Sequence, residues 1–192
     1  MRIGIIGGTF DPPHNGHIHM AQEMKRLYGL NKVIFVPAGI PPHKSGPLTS
    51  VAHRNAMLKV ALSSERGFAA SDAELRRAGK SFTIDTLMFY RKKFGPKAEI
   101  FFIVGADSIL EIKTWKRYKE LLDKFNFVVV ARPGYEIEGL NKDIKEKVRF
   151  ARFKGLAISS SHVRLRVREG ISIMYFVPPE VKKYIEKNKL YT

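Results

Sequence analysis

The sequence predicts an α/β fold: a Rossmann-like, doubly wound parallel sheet with a short C-terminal helical segment. Apolar runs of strand length alternate with amphipathic stretches of helix length along the chain, which is typical of such sheets. The first apolar run, residues 3–6, leads directly into a glycine turn and then a helix. A chain of 192 residues, 44% of them hydrophobic, can bury a sizeable core. We therefore expect one domain over residues 1–192, with a helical subregion at about 155–192.

Six strands are predicted where apolar runs are bounded by turn residues, and six helices in the amphipathic stretches between and after them. The strands are predicted at 2–6, 32–37, 68–71, 99–104, 126–131 and 148–153. The helices are predicted at 16–28, 51–63, 83–94, about 115–124, 159–168 and 178–189. No internal repeat, low-complexity tract or linker interrupts this order.

Periodicity and end signals support the predicted helices. The apolar stripe of the first helix consists of Ile18, Ala21, Met24 and Leu27, with the spacing of a packed helix. Thr49 and Ser50 can cap the second helix, and Gly29, Gly95 and Gly170 stand where helices are expected to stop. The last helix begins with prolines, which a first helical turn tolerates.

The chain is strongly basic, with a formal net charge of +16 and a pI near 10.1. Such a balance indicates anionic partners: nucleic acid, a membrane surface or small phosphorylated substrates. Residues 1–96 carry 14 basic and 6 acidic side chains, and residues 97–192 carry 20 and 12, so no basic tail is formed. This distribution is compatible with a general attraction for anions and with a dedicated nucleic-acid face.

What the sequence lacks disfavours two classes of protein. No apolar stretch approaches the roughly 20 residues of a membrane span, and no basic region followed by a long apolar core marks a secretory signal. Cysteine is absent, which excludes disulfides and thiolate metal sites. We expect a cytoplasmic protein without a membrane partner.

The segment 7–17, which contains two adjacent glycines and two histidines, is the leading candidate site. Main-chain N–H groups in a glycine turn, together with the positive end of a helix, bind phosphate. His17 in the first helical turn should lean back towards that site, and His14 just outside the helix reaches the same space. Neither has an acidic or thiol partner at metal-ligand spacing, so no metal held by protein side chains is expected. Asp11 is expected to stabilise a turn rather than act as a base.

The alternative for this segment is an ordinary strand–loop–helix turn with surface histidines, which would explain neither the histidines nor the glycine pair.

A proline-rich loop at 37–44 follows the second predicted strand at its carboxyl end. Ligands of open α/β sheets bind at that end, so we interpret this stretch as an active-site loop, with an ordinary stiff connection as the alternative.

A second anion site is predicted at 158–164, where three serines open a helix. Capping accounts for one serine. Arg164 in the first helical turn would oppose the helix dipole by about 0.3–1 kcal/mol unless an anion lies between them. Serine hydroxyls, main-chain N–H groups and this guanidinium would together form a second phosphate clamp.

The two clamps resemble those of the nucleotidyltransferase superfamily with a histidine–x–glycine–histidine signature, here His14-Asn15-Gly16-His17. Within it, the chain is similar nearly end to end to bacterial-type nicotinate-mononucleotide adenylyltransferases. The other segments that carry this similarity are 41–44, 72–77, 79–87, 102–108, Trp115, 131–134, 158–164 and 177–181. Phe82 stands where that family often has tyrosine.

The resemblance implies that one nucleotidyltransferase domain converts nicotinate mononucleotide and ATP into nicotinate adenine dinucleotide and pyrophosphate, in NAD biosynthesis. A 5′-phosphate oxygen of the mononucleotide would attack the α-phosphorus of ATP in line. Because that phosphate is already an anion, no general base is needed, and catalysis would consist of positioning and charge stabilisation. The implied partners are ATP with bound Mg²⁺ and the mononucleotide, with a homo-oligomeric state left open.

The resemblance also implies roles for individual residues. Catalytic roles fall to His14, His17, Arg164 and Lys44, and the first three of these would neutralise the charge of the ATP phosphates and of the departing pyrophosphate. ATP binding falls to Gly7, Gly8, Thr9, Phe10, His14, His17, Ser160, Ser161 and Arg164. Substrate binding falls to His43, Lys44, Thr83, Gly105, Asp107, Trp115 and Arg132. Trp115 would stack on the pyridine ring and Asp107 would meet ribose hydroxyls, whereas Arg132 could equally contact ATP or a structural carboxylate.

Two alternatives are kept at this point. Pantetheine-phosphate adenylyltransferases share both clamps, but they are usually shorter and lack the patterns at 41–44 and 81–87. A basic nucleic-acid-binding protein would explain the net charge, but not His14, His17 or the serines. The choice between the nicotinate and nicotinamide forms of the acceptor depends on backbone geometry, which the sequence does not define.

Overall fold

A six-stranded parallel sheet lies at the centre of the protein, in the order β3-β2-β1-β4-β5-β6. The computed structural model describes residues 1–40, 48–77, 79–131, 139–153 and 155–192. The strands are β1 (Arg2–Gly8), β2 (Lys32–Pro37), β3 (Phe68–Ala70), β4 (Glu99–Gly105), β5 (Asn126–Ala131) and β6 (Val148–Arg152). This order is the doubly wound arrangement, which confirms the predicted fold class. Strands β1 to β3 are added towards one edge of the sheet and β4 to β6 towards the other. A crevice therefore opens between β1 and β4 at the carboxyl ends of the strands.

The helices cover both faces of this sheet. They are α1 (Asn15–Leu27), α2 (Val51–Ala61), α3 (Thr83–Phe94), α4 (Ala106–Leu110), α5 (Tyr118–Lys124), α6 (Lys142–Lys145), α7 (Ser160–Arg168) and α8 (Pro179–Lys187), with a 3₁₀ turn at Ile112–Thr114. The six predicted strands and six predicted helices are all present. The short helices α4 and α6 and the 3₁₀ turn were not predicted, because they are too short to show a hydrophobic period.

The helix predicted at about 115–124 begins later than expected. Trp115 ends the 3₁₀ turn in an extended conformation, and Arg117 has a left-handed backbone with φ 57°. The α-helix can therefore begin only at Tyr118. Trp115 consequently lies on a connecting turn rather than on a helix face, and its ring packs against Phe102 of β4.

Two apolar layers hold the sheet, because successive residues of each strand point to opposite faces. Along β4, Phe101 and Ile103 face the layer formed with α1, α2, α7 and α8. Ile100, Phe102 and Val104 face the layer formed with α3, α4 and α5. The predicted C-terminal helical segment thus completes the first layer and packs beside α2. Among the described residues, no helix has the length and apolarity to cross a bilayer.

Candidate active site

The turn after β1 is shaped by the left-handed backbone of Phe10 and by the packing of the Phe10 ring against Gly8. Phe10 adopts φ 50° and is 2% exposed, an uncommon backbone conformation for a bulky residue that is typical of functional sites. Its ring lies against Gly8, where an added Cβ would approach the ring to 3.1 Å. The glycine therefore permits the turn to close over the aromatic ring.

Two stacked imidazoles stand at the start of α1. The rings of His14 and His17 are 3.6 Å apart between centroids, and the Phe10 ring meets His17 edge-on at 5.1 Å. The Nδ1 atom of His17 accepts a hydrogen bond from the main-chain N–H of His14 at 3.2 Å. Because Nδ1 is an acceptor, the ring proton of neutral His17 lies on Nε2, which can donate to a ligand. Gly16 leaves room for this pair, since a Cβ there would come within 3.0 Å of His14 Nδ1.

His14 differs from the sequence-based expectation in its charge. The side chain is 6% exposed, and burial lowers the pKa of its imidazole from 6.5 to about 4. In the substrate-free protein His14 is therefore neutral at neutral pH. It can donate a hydrogen bond to a phosphate oxygen, but it does not itself bring the positive charge that was expected of it.

The serine-rich segment reaches the same turn from the opposite end of the chain. Ser160 Oγ donates to the Pro12 carbonyl at 2.9 Å, and Arg164 Nη1 donates to the Asp11 carbonyl at 2.7 Å. Ser159 is the helix cap, because its Oγ accepts the His162 N–H. Only the first of the three serines is therefore used as a cap. The N-terminus of α7 lies against the turn that carries the histidines.

A cavity of about 510 Å³ lies between these two segments. Its walls include both histidines, the turn after β1, the start of α7 and the carboxyl end of β4. The predicted site residues that line it are Gly8, Thr9, Phe10, His14, His17, Gly105, Asp107, Ser160, Ser161 and Arg164. The volume lies in the range of ligand-binding clefts, and we name it the larger cavity.

A second cavity of about 270 Å³ adjoins it on the side of β2 and α3, and we name it the smaller cavity. Gly8 and Thr9 line both cavities. Trp115 borders the smaller cavity and meets the Phe102 ring edge-on at 6.0 Å. Thr83 borders it as the first residue of α3, whose N-terminus has no side-chain cap in the described structure. The end of β1 is therefore the wall that the two cavities share.

Two residues expected beside Trp115 lie elsewhere. Gly105 and Asp107 border the larger cavity and not the smaller one, and they lie where α4 begins immediately after β4. Gly7 borders the smaller cavity, although it was assigned to ATP. His43, Lys44 and Arg132 lie outside the described residues.

Asp11 has the structural role that was expected. It is 2% exposed, and its carboxylate accepts hydrogen bonds from the Thr49 N–H at 3.1 Å and from the Tyr191 hydroxyl at 2.6 Å. These partners lie far away in sequence, so the carboxylate joins distant segments to the turn that contains it. It borders neither cavity among the residues that line them.

Sequence reasoning missed several residues that surround the site. Lys116 and Ser81 border the smaller cavity, and Lys116 pairs with Asp85 at 3.1 Å and lies 4.7 Å from the centre of the Phe82 ring. Arg54 is buried beneath the turn after β1. Its position on the inner face of a helix was the one available signal, because an arginine there requires polar partners.

The chain is similar to known proteins along nearly its whole length. A family model described as Cytidylyltransferase-like matches residues 5–166. A protein of Moorella thermoacetica named "Probable nicotinate-nucleotide adenylyltransferase" is 39% identical over 99% of this chain and 91% of its own length. A protein of the same name from a Thermoanaerobacter species is 41% identical over 100% of this chain and 94% of its own length.

Solved structures share the fold at lower identity. Plasmodium falciparum nicotinic acid mononucleotide adenylyltransferase complexed with NaAD superposes with a TM-score of 0.81, at 23% identity, over 99% of this chain and 97% of that one. The same parasite protein complexed with APC gives a TM-score of 0.79 at 21% identity, over 99% and 96% of the two chains.

Proposed function

The chain belongs to the nicotinate-nucleotide adenylyltransferase family, and on that premise we propose that it transfers the adenylyl group of ATP to nicotinate mononucleotide. The products are nicotinate adenine dinucleotide and pyrophosphate. One observation supports the assignment of the two substrates to the two cavities: the cavities meet at Gly8 and Thr9. A reaction that joins two nucleotides through their phosphates needs two adjacent sites with one shared phosphate-binding wall.

ATP occupies the larger cavity. The N-termini of α1 and α7 both border it, and each supplies main-chain N–H groups and the positive end of a helix dipole. Nε2 of His17, the hydroxyl of Ser161 and the guanidinium of Arg164 add side-chain donors, whereas Ser160, whose hydroxyl donates to the Pro12 carbonyl, contributes its main-chain N–H. Arg164 carries a fixed positive charge on this wall, so it takes the main part in neutralising the triphosphate.

The mononucleotide occupies the smaller cavity. Trp115 offers an aromatic face to the pyridine ring. The uncapped N-terminus of α3, at Thr83, places positive potential in the same cavity, and Lys116, whose Nζ pairs with Asp85, lies on its wall. A carboxylate on the ring is favoured there over an amide, which supports nicotinate over nicotinamide as the acceptor.

Catalysis follows from alignment and charge. The attacking phosphate is an anion and needs no base, so the protein must hold two polyanions together and stabilise the charge on the phosphoryl oxygens. Thr9 on the shared wall positions the attacking phosphate beside the α-phosphate. His14, neutral before ATP binds, donates a hydrogen bond, while His17 and Arg164 hold the departing pyrophosphate.

Mg²⁺ arrives with ATP rather than residing in the protein. No group of three or more His, Cys, Asp or Glu side chains suited to a metal occurs within the described ranges of the chain. Mg²⁺ retains water and phosphate ligands and needs one or two carboxylates at most. Asp107 is the carboxylate on the described wall of the larger cavity. When bound, Mg²⁺ neutralises charge on the phosphate oxygens.

His43, Lys44 and Arg132 remain proposed substrate contacts on the strength of the family resemblance. Lys44 would add a further cation to the phosphates, and His43 and Arg132 would contact either nucleotide.

The test is an acceptor panel. The protein is incubated with ATP, Mg²⁺ and, in turn, nicotinate mononucleotide, nicotinamide mononucleotide and phosphopantetheine, and pyrophosphate is measured. Release with nicotinate mononucleotide, together with recovery of nicotinate adenine dinucleotide, is expected. Release with phosphopantetheine alone would replace the proposal with the pantetheine-phosphate reaction. No release with any acceptor, alongside salt-sensitive binding of nucleic acid, would favour the nucleic-acid-binding alternative.

A further inference from the structure

Arg54 is a buried arginine that the proposed reaction does not use. It lies on α2 and is 2% exposed, although arginine is almost never fully buried unless it is paired. Within the described parts of the chain, no carboxylate forms an ion pair with it. Burial lowers the pKa of its guanidinium, and the nearby Asp11 opposes that effect. The group stays charged because its intrinsic pKa is so high.

Main-chain carbonyls from three segments satisfy this guanidinium. Nη1 donates to the carbonyls of Thr9 and Ala38, each at 2.9 Å. Nη2 donates to the Gly39 carbonyl at 3.3 Å, and Nε donates to the Thr49 carbonyl at 3.0 Å. The planar guanidinium directs its donors along fixed directions. It therefore sets the positions of these carbonyls relative to one another.

Two of these four carbonyls belong to residues on the walls of the site. Thr9 borders both cavities, and Ala38 borders the smaller one. A main-chain hydrogen bond also joins the same two segments, because the Ala38 N–H donates to the Gly8 carbonyl at 2.8 Å. A shift of Thr9 would move one nucleotide relative to the other without removing any group that binds either of them.

We propose that Arg54 is a positioning residue for adenylyl transfer, which fixes the main chain at Thr9 and thereby aligns the attacking phosphate with the α-phosphorus. This inference rests on the proposed function. Misplacement by about 1 Å can lower the rate of an aligned reaction by about 100-fold. Loss of the arginine therefore lowers kcat while ATP affinity changes little.

The experiment compares Arg54→Lys and Arg54→Gln with the parent enzyme. Calorimetry with ATP gives the dissociation constant and the number of binding-competent sites, and kcat is expressed per such site. We expect kcat to fall about tenfold for the lysine variant, which keeps the charge, and about 100-fold for the glutamine variant, with ATP affinity within threefold of the parent. A merely structural role would lower the number of competent sites and leave kcat per site unchanged.

Arg91→Gln is the matched control. Arg91 also donates to several main-chain carbonyls, namely those of Pro96, Ala98 and Lys124, but none of these three residues borders either cavity. Its substitution should leave kcat per site within twofold of the parent. A kcat per site within threefold of the parent for Arg54→Gln would overturn the proposal, as would a loss of ATP affinity that equals the loss of kcat.

Ser81→Ala keeps the proposal testable if neither Arg54 variant folds. The Ser81 Oγ accepts the Gly39 N–H at 3.1 Å, so its loss loosens the same main chain without opening the buried cluster. We expect kcat to fall at least threefold, and an unchanged kcat would contradict the proposal. If the parent itself fails to turn over nicotinate mononucleotide, the proposed function fails. If the parent turns over and the variants match it, only the role of Arg54 fails.

Discussion

The hydroxyl of Tyr191 donates to the carboxylate of Asp11 at 2.6 Å, so the second-last residue of the chain is bonded to the turn that follows the first strand. Asp11 in turn accepts the Thr49 N–H through its other carboxylate oxygen. Burial raises the pKa of Tyr191, as does its bond to Asp11. The hydroxyl therefore remains a donor, and the carboxylate remains satisfied.

Removing that hydroxyl should destabilise the protein without changing its fold. Tyr191→Phe leaves the buried Asp11 carboxylate with one donor fewer, and a hydrogen bond to a charged group contributes roughly 1.5–3 kcal/mol. We expect the free energy of unfolding in urea to fall by about that amount. Tyr175→Phe is the control, because Tyr175 is 79% exposed. Equal stability of the two variants would refute the role of this bond.

Substitutions of His17 should distinguish the roles of its two ring nitrogens. Nδ1 accepts from the His14 N–H, and Nε2 is the proposed donor to phosphate. His17→Ala should lower kcat by about 100- to 1,000-fold, as does the loss of one donor to a transition-state oxyanion. Glutamine can place an amide near Nε2, and asparagine near Nδ1. Pyrophosphate-release assays should therefore show His17→Gln to be more active than His17→Asn.

The control for this series is His53→Ala, since His53 contacts Tyr184 and borders neither cavity. Its kcat should stay within threefold of the parent. Equal activity of the glutamine and asparagine variants would show that the assignment of the ring proton to Nε2 is wrong.

The buried His14 should make the protein sensitive to acid. Its folded pKa is about 4 and its ordinary value is 6.5, so between these pH values the unfolded chain binds a proton that the folded chain does not. Stability is thus complete above pH 6.5 and falls as the pH is lowered towards 4, by up to about 3 kcal/mol in total. The free energy of unfolding, measured with urea at several pH values, should therefore change with pH along a shallower slope for His14→Gln than for the parent. A slope as steep as that of the parent would mean that His14 is not the responsible group.

Lys116 should contribute to acceptor choice. It borders the smaller cavity and is held between Asp85 and the Phe82 ring. Lys116→Gln should lower kcat/KM for nicotinate mononucleotide by about five- to tenfold, or about 1 kcal/mol. The value of kcat/KM for nicotinamide mononucleotide should change less. Lys119→Gln, on exposed surface nearby, is the control. Equal losses with both acceptors would show that Lys116 does not read the carboxylate.

The sequence predicted the elements of this fold better than their ends. The apolar stripe of α1 and the Ser50 cap of α2 are local patterns: the cap is present and three members of the stripe are buried, but Leu27, the predicted fourth member, is 46% exposed. The start of α5 was placed too early, because the left-handed backbone at Arg117 gives no signal in the sequence. The charge of His14 was also misjudged, since it depends on burial by residues that are distant along the chain.

Local chemistry therefore determined which segments are predicted to bind phosphate: a glycine turn after an apolar strand, histidines at one helix start and serines at another. Tertiary structure alone decided that these segments face one cavity, that Asp107 lies with the histidines while Trp115 borders the smaller cavity, and that Arg54 holds the wall between the two. The physical reason is that helix periods and caps are encoded by near neighbours. Convergence depends instead on strand order, which brings the ends of β1 and β4 side by side, and on the packing of α7 and α8 against α1 and α2.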